Sequence, residues 1–242
     1  MNAIIFAAGL GTRLQPLTND KPKALVELWG QPMLANVILK LKAAGAKQIV
    51  VNVHHFGEQI IDFLHSNRNF GMDIKISDER DYLLDTGGGI KKAAKLFTND
   101  EPILVHNVDV VTDVDIKELY ERHKSGDSLA TLFVDARTTQ RYLLFDRDLR
   151  LCGWTNVKTN ETKSPYLNLQ PNECRRLAFN GIHVVSKEIV NYMNDWHGRF
   201  SIIDFYISIS DRLKISGYLA PEGTQWFDIG RPETLTFVNT LK

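Results

Sequence analysis

Arg13 and Lys23 follow closely on two glycines, Gly9 and Gly11, and that grouping suits phosphate. Gly9 and Gly11 can take positive φ and lack a Cβ, so the backbone N–H groups from Ala8 through Gly9, Gly11 and Thr12 can converge on an anion. Arg13 adds a rigid fork of donors matched to phosphate oxygens, and Lys23, held after Pro22, adds a compact point charge. The stretch fits neither of two familiar phosphate motifs. A P-loop needs G-x-x-x-x-G-K-[ST], whereas Gly9 is followed by Gly11 and then Thr12-Arg13. A Rossmann fingerprint needs G-x-G-x-x-G opening a helix, but Leu14 stands at the third glycine and Pro16 follows. A second glycine-rich stretch, Asp85-Thr86-Gly87-Gly88-Gly89, costs chain entropy, and close approach of backbone to a flat ring explains it better than packing. Further on, Asp109 follows an apolar run. A carboxylate at a strand tip beside bound phosphate is where Mg²⁺ would be held, because the ion keeps several waters and takes one or two protein carboxylates. Asp113 reads as a turn residue and Asp115 as a helix cap.

These groups need a scaffold. The apolar run from Ala3 to Ala8, closed by Gly9, predicts a strand buried on both faces of a parallel sheet. Pro32 opens a helix that stops at Gly45; residues 48–53 predict a second strand, 58–65 a helix, and 73–77 a third strand. Residues 103–106 predict another strand, with Asn107 and Asp109 at its carboxyl end, and 128–134 continue the sheet. Strand–helix alternation implies right-handed crossovers and an α/β class fold with ligands at the carboxyl ends of the strands. Residues 142–154 read as a hairpin around Asp146-Arg147-Asp148, residues 155–171 as a long polar loop or flap, and residues 178–184 as a strand interrupted by Gly181. Ser201 with Asp204 reads as a helix start running to Leu213, residues 215–220 as a last strand, Pro221-Glu222-Gly223 as a turn, and 233–241 as a closing helix.

Composition excludes several classes. The 242 residues suffice for one sizeable core, and 29 basic against 29 acidic side chains leave no global field to recruit nucleic acid or an anionic membrane. No apolar run approaches the ~18 residues of a membrane span. The first residues lack the pattern of a secretory leader, so a cytoplasmic location is expected. Cys152 and Cys174 lack metal or redox spacing; two free thiols are expected, and the count also allows one disulfide. His54 and His55 sit at a strand end and point oppositely, so they cannot chelate one metal together.

The string A-A-G-x-G-T-R-x-x-P-L-T from Ala7 to Thr18, then K-P-K-A-L-V from Lys21 and G-x-P-M from Gly30, resembles the signature of sugar-1-phosphate nucleotidylyltransferases. That family joins a nucleoside triphosphate (NTP) to a sugar 1-phosphate, giving an NDP-sugar and pyrophosphate. The resemblance implies a Rossmann-like mixed, mostly parallel central sheet flanked by helices in three α/β/α layers, the nucleotide-diphospho-sugar transferase fold. It implies one domain over residues 1–242, nucleotide-binding to about 135 and sugar-binding from about 136. Ala8, Gly9, Gly11, Thr12 and Arg13 would hold the nucleotide, Lys23 would bridge the reacting phosphates, and Asp85, Thr86, Gly87 and Gly88 would meet the base. Asp109 resembles the aspartate of the family's N-G-D element, with Val108 where glycine usually stands. Trp226-Phe227-Asp228-Ile229-Gly230-Arg231-Pro232-Glu233 resembles W-x-D-x-G-x-P-E, which implies Asp228 as the second Mg²⁺ ligand; alone it would read as a turn residue. Asn180 and Gly181 resemble a strand that meets the sugar, with a β-bulge as the other reading.

The L-D-T-G-G-G-I element resembles the N-acetylmuramic acid 1-phosphate uridylyltransferase branch and implies UTP as the nucleotide. GTP with mannose or heptose 1-phosphate is the alternative. A catalytically silent NDP-sugar-binding regulator would keep the fold, and a glycosyltransferase would need a D-x-D at a strand end, which Asp113-Val114-Asp115 matches only in letters. No protein partner is evident.

Overall fold

A computed structural model describes residues 1–241. The chain runs through β1 (Asn2–Phe6), β2 (Glu27–Leu28), β3 (Gln31–Pro32), α1 (Met33–Ala43), β4 (Gln48–Val53), α2 (Gly57–Ser66), β5 (Asp73–Asp78), α3 (Asp85–Ala93), β6 (Ile103–Asn107) and β7 (Val110–Thr112). It continues with α4 (Ile116–Ser125), β8 (Ala130–Asp135), β9 (Arg141–Phe145), β10 (Leu151–Asn156), β11 (Glu161–Lys163), β12 (Arg175–Val185), α5 (Ile202–Ile209), β13 (Ile215–Leu219), β14 (Trp226–Asp228) and α6 (Pro232–Asn239).

The central sheet has the order β5-β4-β1-β6-β12-β8-β13, and β12 alone runs against its neighbours. It is therefore mixed and mostly parallel, with helices on both faces, as the alternation of strands and helices implies. β1 displays the reason for three layers. Ala3 and Ile5 join one core with Leu34 and Ile38 of α1 and Ile60 of α2, while Ile4 joins the other with Ile90 of α3 and Phe205 of α5. All of these side chains are fully buried or nearly so, each isoleucine contributing about 1.5–3 kcal/mol by leaving water.

β12 is long because it serves two sheets. Ile182–Val185 pair with β6, whereas Arg175–Leu177 pair with β9, and the register shifts between Phe179 and His183. From there an antiparallel β9-β10-β11 layer extends the structure. β11 lies in the segment expected to be a polar loop; Thr162 pairs with Thr155 and the hydroxyls face each other at 3.3 Å. The helix opened by Ser201 ends at Ile209 and continues only as turns, with Leu213 N–H donating to Ile209 O. Ser201 caps it by accepting from Ile203 N–H, and Asp115 caps α4 by accepting from Lys117 and Glu118 N–H.

Candidate active site

The carboxyl ends of β1, β4, β5 and β6 meet at one edge of the sheet, and the residues just beyond them line a cleft of about 250 Å³. Ala8, Gly9, Lys23, Asp85, Thr86 and Asp109 all face it, together with Asn52, Glu79 and Arg199. The loop after β1 turns at Gly11, φ 69°, into a single 3-10 turn at Thr12–Leu14. Thr18 Oγ1 donates to Gly11 O at 2.9 Å and fastens the loop from behind. A Cβ on Gly11 would stand 3.0 Å from the Thr18 methyl, so both conformation and space demand glycine.

One expected donor is already in use. Asn52, at the end of β4, accepts from Ala7 N–H at 2.7 Å and Ala8 N–H at 3.1 Å, so the Ala8 amide faces the protein and not the cleft. The N–H groups of Gly9 and Leu10 find no acceptor among the described residues, and both residues are exposed. Asn52 in turn donates to Glu79 Oε1, and Glu79 Oε2 accepts from Leu84 N–H. This buried chain ties the phosphate-type loop to the entrance of α3. Asn52 was not among the expected site residues; its signal in the sequence is a lone amide inside Ile49-Val50-Val51-Asn52-Val53.

Opposite charges crowd the mouth of the cleft. Lys23, 8 % exposed, contacts Asp109 Oδ2 directly. Arg13 reaches Asp228 Oδ2 at 3.3 Å and Asp109 Oδ2 at 3.9 Å, so one guanidinium spans both carboxylates. The local pairing β14 against β7, with Asp228 opposite Val110, carries Asp228 from the far end of the chain to this point, and Ile229 N–H donates to Asp109 O at 2.9 Å. Burial works against ionisation of Asp228, but the Gly230 N–H bond and the charges of Arg13 and Lys23 outweigh it and hold the carboxyl below its ordinary range. Gly230 is buried against the cluster: a Cβ there would stand 2.6 Å from Arg13 and 2.7 Å from both Asp228 and Lys23.

Val108, where a glycine would be usual, fits. It has no positive φ, is 5 % exposed in the core, and its N–H donates to Phe6 O at 3.2 Å.

Packing gives two of the expected site segments a structural role. Gly87 and Gly88 lie inside α3, and the protein itself fills the space beside them. A Cβ on Gly87 would stand 2.3 Å from the Phe200 ring and one on Gly88 2.6 Å from Gly198 O, while Gly87 N–H donates to Phe200 O. These glycines admit the chain's own aromatic ring and backbone; Asp85 and Thr86, just before them in α3, are the residues that line the cleft. Asn180 is fully buried, donating to Asp135 Oδ2, accepting from Arg137 Nε and receiving Trp226 Nε1–H on its carbonyl. Its side chain is engaged within the protein and has no exposed surface. Gly181 sits at the register shift with φ 75°, and a Cβ would stand 2.8 Å from Asn107 Nδ2, which is the β-bulge reading.

Residues 2–241 match the family model described as nucleotidyl transferase. The chain belongs to that family. Among curated relatives of this nucleotidyl transferase, an N-acetylmuramate alpha-1-phosphate uridylyltransferase of Caulobacter vibrioides is 32 % identical over 96 % of the chain and 92 % of the relative. A mannose-1-phosphate guanyltransferase of Yarrowia lipolytica is 38 % identical over 54 % of the chain and 37 % of the relative. Among solved structures, a putative glucose-1-phosphate thymidylyltransferase from Bacillus anthracis superposes with a TM-score of 0.82 at 18 % identity, covering 100 % of this chain and 94 % of the other, a likeness of fold. In this transferase no helix among the described residues is long and apolar enough to cross a membrane. Cys152 and Cys174 are free thiols.

Proposed function

We propose that this nucleotidyl transferase joins UTP to N-acetylmuramic acid 1-phosphate, releasing pyrophosphate. The observation that carries the reaction class is the cluster of Arg13, Lys23, Asp109 and Asp228 at the mouth of a cleft whose loop offers free backbone N–H groups. The choice of substrates is supported by similarity along nearly the whole length of the Caulobacter uridylyltransferase. The guanylyl alternative rests on similarity over about half the chain.

An oxygen of the sugar phosphate forms the new bond to the α-phosphorus of UTP while the bond to the bridging oxygen of pyrophosphate breaks opposite it. Two anions must first be brought together, so cationic positioning dominates the barrier. Arg13 and the loop N–H groups would hold the departing pyrophosphate, and Lys23 would neutralise charge at the reacting centre. No base is needed, because a phosphate monoester with a second pKa of about 6 is already ionised at neutral pH.

The carboxylates fit Mg²⁺: both offer hard oxygen ligands, Asp228 is biased toward its charged form, and the ion needs only one or two carboxylates. When bound, the ion would supply charge neutralisation between the phosphates. The two carboxylates are spanned by Arg13, so they lie close enough together to hold the ion, with Arg13 and Lys23 turned to phosphate oxygens.

The test mixes the protein with each NTP, a panel of sugar 1-phosphates and Mg²⁺ and measures pyrophosphate. Release with UTP and N-acetylmuramic acid 1-phosphate is expected. Release with GTP alone rejects the uridylyl reading, and silence across the panel favours a binding module.

A further inference from the structure

Beside the nucleotide cleft lies a larger cavity of about 580 Å³, in the ~300–1,000 Å³ range that encloses ligands beyond a bare ring. Its floor is one face of the β9-β10-β11 layer. Leu143 pairs with Trp154 and Trp154 with Lys163; Arg141 pairs with Asn156 and Asn156 with Glu161. Strand periodicity puts these six on the same face, and all six line the cavity.

The cavity opens toward the proposed chemistry at Arg137. That guanidinium stacks on Trp226 at 3.9 Å, and Trp226 lies on the same short strand as Asp228, which acts electrostatically on Arg137. At the opposite wall, Ile202 N–H donates to Thr86, a residue of the nucleotide cleft. The two chambers are therefore linked by these contacts, and the larger one has the room for the second substrate.

The cations of this chamber are not equivalent. Lys163 is held by Asp204 at 3.0 Å and Glu161 at 3.9 Å. Arg137 donates to Phe179 O and Asn180 Oδ1 and lies 3.7 Å from Asp135. The Arg141 guanidinium has no acceptor among the described residues, and neither has the amide nitrogen of its cross-strand neighbour Asn156, whose oxygen is taken by Lys158 N–H. A bidentate donor and an amide donor side by side, with Trp154 as an amphipathic floor leading to them, are suited to a carboxylate. Glu161, the nearby acid that would oppose an incoming anion, is engaged by Lys163.

We propose that Arg141, assisted by Asn156, reads a second anionic group on the sugar 1-phosphate, a carboxylate on an ether side arm of the ring, and so makes the enzyme prefer acidic sugar phosphates to neutral ones. This rests on the reading that the chamber takes the sugar 1-phosphate.

The experiment compares kcat/KM for N-acetylmuramic acid 1-phosphate with that for its carboxyl methyl ester, in the wild type and in Arg141→Gln, Arg141→Lys and Asn156→Ala, with melting temperatures alongside. A charge-assisted hydrogen bond to carboxylate predicts an acid-to-ester preference of about 10- to 100-fold in the wild type. Arg141→Gln should collapse the ratio toward unity, chiefly through KM; Arg141→Lys should restore part of it, and Asn156→Ala should weaken it. Turnover of both substrates with no preference in the wild type, or a preference that survives Arg141→Gln, overturns the proposal while leaving the reaction class standing. Absence of turnover with any sugar phosphate overturns the reaction reading and this proposal with it.

Discussion

Asp109 and Asp228 share cations, and neither makes chemical sense alone. Lys23 answers one carboxylate, Arg13 bridges both, and the Gly230 N–H donates to Asp228. Replacing either aspartate with asparagine keeps volume and hydrogen-bonding capacity but removes the charge that would hold Mg²⁺. Asp109→Asn or Asp228→Asn should therefore lower kcat by about 10²- to 10³-fold, comparable with the loss of a principal electrostatic group, while far-UV circular dichroism stays unchanged. Turnover within a few-fold of wild type in either variant would remove that aspartate from the mechanism. Arg13 and Lys23 were visible from residue type and spacing alone. Asp228 was not, because a carboxylate beside a glycine-proline turn carries no local mark of a ligand, and only resemblance singled it out. Arg137 and Arg141 escaped notice for a different reason: isolated arginines in polar sequence look like solvated surface until strand register shows which face they occupy.

At the scale of elements, α3 shows how a glycine triplet can serve packing. Each glycine in a helix costs up to about 1 kcal/mol relative to alanine, and here Phe200, Gly198 and Phe6 fill the space. Gly87→Ala should destabilise the protein by about 1–3 kcal/mol through overpacking, read as a lower urea midpoint. The double variant Gly87→Ala with Phe200→Leu should recover part of that loss if the ring is the obstacle; no recovery would place the strain in the Phe200 carbonyl, which the same Cβ would meet at 3.0 Å. Strands β1, β4 and β6 were legible in the sequence because apolar runs buried on both faces leave little else to form, and β5 because Ile74 and Ile76 alternate with polar residues. The strand β11 was not, since Glu161-Thr162-Lys163 is polar throughout and exposed. Its pairing comes from the neighbouring β10, a tertiary cause with no trace in local periodicity. The positions of Asn180 and Gly181 followed the same rule: the bulge is set by β12 changing partners, which only the assembled sheet reveals.

The molecule as a whole should be sensitive to mild acid. Burial holds His106 and His183 at about 3 and His123 at about 4, with Lys40 adding to the effect at His106 and His123 at His183. Unfolded, each would titrate near 6.5. Below that value the unfolded chain binds protons that the folded chain refuses, so stability falls as pH drops from about 6.5 toward 4, by up to about 1.4 kcal/mol per pH unit for each histidine. The urea midpoint should decline steadily between pH 7 and pH 5, above the range where most carboxylates titrate; a flat profile would mean that these rings accept protons within the fold. The pairing of β14 with β7 bears on synthesis as well as on geometry. At ~5–20 residues per second, a ribosome delivers Asp109 several seconds before Asp228, so the two carboxylates that Arg13 spans can meet only once the last strand has been made. The order of translation thus leaves the carboxylate pair to the end of synthesis, and a chain cut short before β14 would lack it.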